Sequence, residues 1–267
     1  MTVSTLIAAA GLGLAAGLLG GLAGVGGSMI LLPGLHWLKV AGTGAETHHL
    51  YMAAAMTVNV AVALPAAMKH KSAGAVRTDL LPTLLVWATV GIIIGVLLSN
   101  QITGNWLRIA LGCFVAAYCV YNLVKLAKGE SDTALSGRVK GRPEYVKLGL
   151  SGLATGLVGG LLGLGGGVLL VPLLQLVCRL PLRQSIATSS SVIWMTAMVG
   201  AGLKMLTLGS RGLSAWQALG IAAALIPTAI VGGWLGAKLT HALPLAMVRG
   251  LISAILAIAA AKLLGAF

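Results

Sequence analysis

Apolar residues fall in runs of about 20 along this chain, the length that carries a helix across a hydrocarbon core of about 30 Å. Eight such segments can be marked: about Thr5–Leu38, Leu50–Met68, Leu80–Ser99, Trp106–Leu126, Leu148–Cys178, Ile186–Met205, Ala215–Leu239 and Leu245–Leu264. Spans through lipid must be helices or a closed barrel, because lipid offers the backbone no hydrogen-bond partner. Barrel strands alternate polar and apolar residues, and stretches such as Leu80–Ser99 do not. The pattern predicts an all-α integral membrane protein.

Two segments are too long. Thr5–Leu38 and Leu148–Cys178 would each run about 45–50 Å as straight helices. Each carries a glycine cluster at its middle and a proline six residues after the last shared glycine. Glycine costs about 1 kcal/mol relative to alanine inside a helix, so these clusters predict a broken or re-entrant helix. A break at membrane depth is tolerated only where protein or a water-filled cavity surrounds it.

The two clusters are also copies. Residues Gly17–Pro33 align without gaps on Gly156–Pro172, with ten of 17 positions identical at an offset of 139. Gly91, Gly95 and Arg108 recur as Gly232, Gly236 and Arg249 at an offset of 141. The expectation is two tandem repeats of about four hydrophobic segments each, residues 1–127 and 148–267. A basic linker, residues 128–147, separates them, and it is expected in the cytoplasm with Lys69, Lys71 and Arg77. Charge counting leaves parallel and inverted repeats both open.

Composition agrees. Of the residues, 58% are hydrophobic and 9% charged, with a mean hydropathy of +1.00; a soluble domain carries roughly 25% charged residues. The net charge of +13 is read as cytoplasmic-loop Lys and Arg rather than a nucleic-acid surface, since no basic face interleaved with aromatics exists. Cys113, Cys119 and Cys178 have no ligand spacing and are expected as buried hydrophobes. Met1–Gly20 lacks the positive leading region of a secretory signal and reads as a membrane segment.

The candidate chemistry follows from the breaks. A helix that restarts inside a protein presents backbone N–H groups backed by roughly +0.5 of dipole charge, and such a terminus binds anions. Here the restarts fall near Gly27–Ser28 and Gly166–Gly167, though glycines also serve close helix packing. Thr188-Ser189-Ser190-Ser191 is the densest polar run in an apolar segment. Its hydroxyls could donate to an anion, bond the preceding turn or join helices. Asn59 and Gln175 read as interhelical hydrogen bonds. His48, His49 and His241 read as solvated interfacial residues, and Lys204 and Arg183 as snorkelling. No acid lies inside an apolar segment, which argues against a cation carrier. No G-x-G-x-x-G fingerprint and no convergent catalytic or metal-binding cluster is present. No catalytic residue, metal or cofactor is expected.

The doubled Gly-Gly-x-x-Gly-x-Gly-Gly/Ser motif ending in Pro33 and Pro172 resembles the sulfite exporter TauE/SafE family of membrane anion transporters. So do Ala187-Thr188-Ser189-Ser190 and Arg249. The likeness covers nearly the whole chain. It implies transport of sulfite, sulfoacetate or related organosulfonates, with Gly24, Gly26, Gly27, Gly163, Gly165, Gly166, Gly167, Thr188 and Ser189 lining the site. Ser28 and Ser190 join them from the reading of the residues themselves. The first half departs from the family pattern at Tyr51-Met52-Ala53 and at Ser28.

The resulting expectation is a multi-pass transporter or facilitator in a bacterial inner membrane, working by alternating access and not an enzyme. Its partners are a small anion and the bilayer, with no nucleic acid; proton or sodium coupling and homo-oligomerisation are left open. A passive channel and a membrane-embedded enzyme or assembly subunit, using His48, His49 and Glu46, are the alternatives.

Overall fold

The computed structural model describes residues 3–42, 44, 46–127 and 145–244, with 247, 250, 253, 254, 257 and 261. Linker residues 128–144, Arg249 and most of the last apolar segment lie outside the described residues. Among those described the chain forms nine α-helices and no strand. They are α1 (Val3–Ala23), α2 (Ser28–Leu38), α3 (Thr47–Ser72), α4 (Leu81–Ser99), α5 (Gly104–Ala127), α6 (Tyr145–Leu162), α7 (Gly167–Leu176), α8 (Leu182–Leu208) and α9 (Ala215–Ala242). A 3₁₀ turn, Gly209–Arg211, joins α8 to α9. Helices α3, α4, α6, α8 (with its 3₁₀ turn) and α9 are long and apolar enough to cross a membrane. Leu97 and Leu98 of α4 and Val231 and Trp234 of α9 stand exposed on their outer faces, as lipid-facing residues do.

Each over-long segment is two helices. The chain leaves α1 and α6 through paired left-handed glycines, Gly24 (φ +64°) and Gly26 (φ +80°), then Gly163 (φ +74°) and Gly165 (φ +70°). Residues with a Cβ adopt that conformation at a cost of roughly 1–2 kcal/mol. After the first break α2 turns back along α1: Gly27 lies against Ala16 and Gly34 against Leu12. After the second, α7 begins beside Gly159 and Thr155 of α6.

Eight further glycines build two tight helix pairs. Gly17 and Gly21 of α1 rest on the backbone of Ala229 and Gly233 in α9, and Gly232 and Gly236 rest on Leu14 and Leu18 in return. Likewise Gly91 and Gly95 of α4 meet Leu153 and Leu157 of α6, while Gly156 and Gly160 meet Ala88 and Ile92. A Cβ at any of these eight positions would overlap backbone atoms. Where lipid is as apolar as the side chains, such close approach is what holds helices together.

The contacts also fix direction. Helix α1 runs in the same sense as α9, and α6 in the same sense as α4, because the paired positions rise together in both partners. Helix α3 follows α9 (Val62 at Gly233, His70 at His241), and α4 follows α8 (Ile92 at Gly200, Ser99 at Lys204). Helices α3 and α8 are antiparallel: His49 meets Lys204 at one end, and Arg77, just past α3, meets Thr188 near the start of α8 at the other. Helices α1, α3 and α9 therefore run one way and α4, α6 and α8 the other.

Several expectations are corrected. Lys204 does not snorkel but is buried, and His48 and His49 are buried rather than solvated. Helix α8 turns Lys204 inward against α3 and α4, where polar side chains receive it. Of the cysteines, Cys119 is buried, Cys178 half-buried and Cys113 exposed. An outward Cys113 on an apolar helix is as compatible with lipid as a buried one.

Candidate functional site

The two glycine breaks meet at the centre of the molecule. A Cβ on Gly167 would stand 3.0 Å from the carbonyl carbon of Val25 and would overlap Ile193. Between the breaks sits Asn59 of α3, wholly buried. Its Oδ1 accepts the Ser28 N–H at 2.9 Å, and its Nδ2 donates to the Leu164 carbonyl at 3.0 Å. One carboxamide thus caps the start of α2 and holds the loop before α7. Gly26 and Gly165 are glycine for this reason as well: a Cβ would come within 3.0 Å and 2.9 Å of Asn59 Nδ2. The interhelical role expected of Asn59 is what the structure shows, but both of its bonds go to the breaks.

Helix α8 supplies the second set of ties. Ser189 Oγ donates to the Gly24 carbonyl at 2.7 Å, with the Gly167 carbonyl at 3.3 Å. Thr196 Oγ1 donates to the Gly165 carbonyl at 2.7 Å. Loop carbonyls would repel an anion, and these hydroxyls neutralise them. The four hydroxyls of the polar run have four different environments. Thr188 Oγ1 accepts the Arg77 backbone N–H at 3.2 Å, and Ser191 bonds back to the Ala187 carbonyl at 3.0 Å. Ser189 joins the two breaks, and Ser190 Oγ is buried with no hydrogen-bond partner. Arg77 also donates to both oxygens of Asp79, at 2.8 and 2.7 Å, and this holds the Asp79 carboxyl below its ordinary value. The α3–α4 connection is thereby braced beside Thr188.

One buried, unsatisfied hydroxyl stands at the first restart, and another on the helix beside the second. Ser28 Oγ opens α2, and Thr155 Oγ1 of α6 belongs to the residue against which Gly166, the residue before α7, lies; both are buried and have no hydrogen-bond partner. A buried hydroxyl left unpaired costs about 1–3 kcal/mol. Neither helix start has a side-chain cap from its own N-cap glycine. The structure therefore gathers Gly24, Gly26, Gly27, Ser28, Gly163, Gly165, Gly166, Gly167 and Ser189 at one place. It ties Thr188 to the α3–α4 connection instead. Thr155, Thr196 and the central position of Asn59 were missed. Thr155 had a signal: at the offset of 139 it stands opposite Ala16, a hydroxyl where the first half has none.

A second polar cluster lies where α3 begins and α4 and α8 end. Lys204 Nζ contacts His49 Nδ1 at 2.9 Å, Ser99 Oγ at 2.8 Å and Asn100 Oδ1 at 2.7 Å. Arg211 pairs with Glu46 and donates to the Asn100 carbonyl. At the opposite end His70 Nδ1 and His241 Nε2 are 3.0 Å apart, with His70 Nε2 on the Gly21 carbonyl at 3.3 Å.

Comparison with known proteins agrees with this architecture. The chain is 31% identical over 95% of its length to a probable membrane transporter protein, MamO, of Magnetospirillum gryphiswaldense, covering 44% of that protein. It is 30% identical over 98% of its length to the MamO of Paramagnetospirillum magneticum, covering 45% of it. The chain thus spans less than half the length of these two relatives. A probable membrane transporter protein of Bacillus subtilis, YunE, is 26% identical, with 86% of each chain covered. No solved structure matches the chain. The family model described as sulfite exporter TauE/SafE matches residues 9–263. The chain belongs to the sulfite exporter TauE/SafE family.

Proposed function

We propose that this chain is a secondary transporter or facilitator that moves a small sulfur-containing anion, such as sulfite, sulfoacetate or a related organosulfonate, across the membrane. The two halves act as inverted repeats, and the broken segments are re-entrant at membrane depth. The anion sits where α2 and α7 restart, and rocking of one half against the other exposes it to each side in turn.

The observation that carries this reading is the pair of half-helix starts facing one junction, with a buried unpartnered hydroxyl at the first, Ser28 Oγ, and another, Thr155 Oγ1, on the residue of α6 beside the second. Helix N-termini attract an anion without a positive side chain, and transporters built from inverted repeats place them at the repeat interface. Asn59 Oδ1 already accepts the Ser28 N–H. In this packed state it stands where an anion oxygen would, and the anion takes its place as the halves separate. Family membership and the names of the relatives support transport as the activity; sulfur in the substrate rests on the family description alone.

Flux of sulfite, sulfate, thiosulfate and sulfoacetate into liposomes containing the purified protein tests the reading. Saturable uptake with counterflow is expected for at least one of the four. Uptake of none, or uptake without saturation, would sink the carrier reading. Gly165→Leu should abolish flux while the protein remains folded and extractable, because the side chain would enter the space of Asn59 and Ala197. Normal flux in that variant would put the site elsewhere. Ser28→Ala and Thr155→Val should each weaken half-saturation about tenfold or more, the loss of one hydrogen bond to a charged group (about 1.5–3 kcal/mol).

A further inference from the structure

Lys204 lies inside a membrane-spanning helix with 1% of its surface exposed. Among the described residues no carboxylate comes within ion-pair distance of it. A charge taken out of water unpaired costs several kcal/mol, and an ionisable side chain at such a place marks a functional site by default. Its surroundings are built to hold a proton in more than one position. The ammonium has three N–H bonds and three neutral acceptors: His49 Nδ1, Ser99 Oγ and Asn100 Oδ1. His49 Nε2 faces the Ile102 carbonyl at 3.1 Å, an acceptor, so the ring proton resides on Nε2 and Nδ1 presents its lone pair to Lys204. A proton moving along this 2.9 Å contact leaves Lys204 as a neutral amine and His49 as an imidazolium. The imidazolium then lies 3.7 Å from the partly exposed Glu46 carboxylate, through Nε2.

The geometry points to Lys204 and His49 as a proton-binding pair that couples anion movement to proton movement, with Glu46 as its connection to water. The inference rests on the transporter reading above. Protonated Lys204 ties together three elements of different halves: α3 through His49, the end of α4 through Ser99 and Asn100, and its own α8. While the proton sits on His49, Nδ1–H donates back to the Lys204 amine and all three ties persist; once it leaves the pair, two N–H bonds face three acceptors, so one tie is lost and the end of the bundle is free to separate. The charged groups facing the pair are Glu46, just before α3, and Arg211 from the 3₁₀ turn; the neighbouring His48 turns instead to His36 of α2, 2.8 Å away. Arg211 is engaged by Glu46 and by the Asn100 and Ile102 carbonyls.

Liposomes with the membrane potential clamped at zero test the coupling, with thiosulfate and sulfoacetate as probes because their charge is constant near neutral pH. Two quantities are read: anion exchange at equal pH, and accumulation driven by a pH gradient. One proton carried per anion across a gradient of about one unit supports about tenfold accumulation. Wild-type protein is expected to show both exchange and accumulation. Lys204→Met, Lys204→Arg and His49→Gln are expected to keep exchange while accumulation falls to about onefold. Arginine keeps the charge but does not release its proton, so the Arg variant separates titration from charge. Full accumulation in Lys204→Met, or its restoration in Lys204→Arg, overturns the proposal. Loss of exchange in all three folded variants also overturns it, since Lys204 would then be a structural tie alone. If wild-type vesicles take up none of sulfite, sulfate, thiosulfate and sulfoacetate, the transport reading fails and the coupling with it; exchange without pH-driven accumulation in the wild type overturns the coupling alone and leaves that reading standing.

Discussion

At the scale of single residues, the centre of this protein depends on one amide. Asn59 presents an acceptor to Ser28 N–H and a donor to the Leu164 carbonyl from the same planar group. Asn59→Ala would leave both partners buried and unpaired, at about 1–3 kcal/mol each. The expected outcome is a lower melting temperature in detergent together with loss of flux. An unchanged melting temperature would mean that water or a rearranged side chain replaces the amide. Ser189 offers the internal contrast with Ser191. Ser189→Ala removes the hydroxyl that spans Gly24 and Gly167, whereas Ser191→Ala removes only a bond within its own helix. Flux should fall in the first and persist in the second.

At the scale of elements, glycines do two separate jobs, and position distinguishes them. Gly24, Gly26, Gly163 and Gly165 supply the left-handed backbone that ends α1 and α6. Gly17, Gly21, Gly232 and Gly236, with Gly91, Gly95, Gly156 and Gly160, let helices touch backbone to backbone. The helix break and the close packing that the glycine clusters suggest at the sequence level are therefore divided between neighbouring glycines. Gly156→Leu or Gly236→Leu should lower stability by at least the 1–3 kcal/mol usual for overpacking, since the obstruction is a backbone carbonyl that cannot rotate away. Thermal unfolding of the detergent-solubilised variants measures this. Gly202 and Gly220 have open space around them, and Gly202→Ala or Gly220→Ala should leave the melting temperature near that of the wild type.

At the scale of the whole molecule, the arrangement of the helices sorts charge. Lys69 and Lys71 stand in the last turn of α3 and Arg77 follows it, and Thr188 and Arg183 near the start of α8 lie at the same end. Lys147 stands in the first turn of α6, which runs alongside α4 from that end, and Lys238 lies near the end of α9 beside His241. The opposite end holds the buried Lys204, with Arg211 paired to Glu46. The positive-inside tendency then predicts the α3–α4 connection on the cytoplasmic side. Single cysteines at Ala75 and Ser210, in protein lacking Cys113, Cys119 and Cys178, should label oppositely: an impermeant maleimide applied outside intact cells should reach Ser210→Cys and not Ala75→Cys. Labelling of both at equal rates would contradict this orientation.

Local composition alone determined the helical class. Runs of apolar residues near 20 in length leave the backbone no partner but itself, and that conclusion needs no knowledge of neighbours. The sequence also marked where α1 and α6 stop, because a string of glycines weakens a helix wherever it lies, and its motifs pointed to the family that the comparison identifies. Tertiary structure decided what each polar side chain does. Thr188, Ser189, Ser190 and Ser191 are indistinguishable by type, and only the direction in which α8 presents them separates a loop tie, a bridge, an unpaired hydroxyl and a turn bond. Lys204 reads in sequence as a residue near a helix end, and its burial follows from the partners that α3 and α4 bring to it. Burial and pairing are properties of at least two elements at once, so they become definite only when the helices pack.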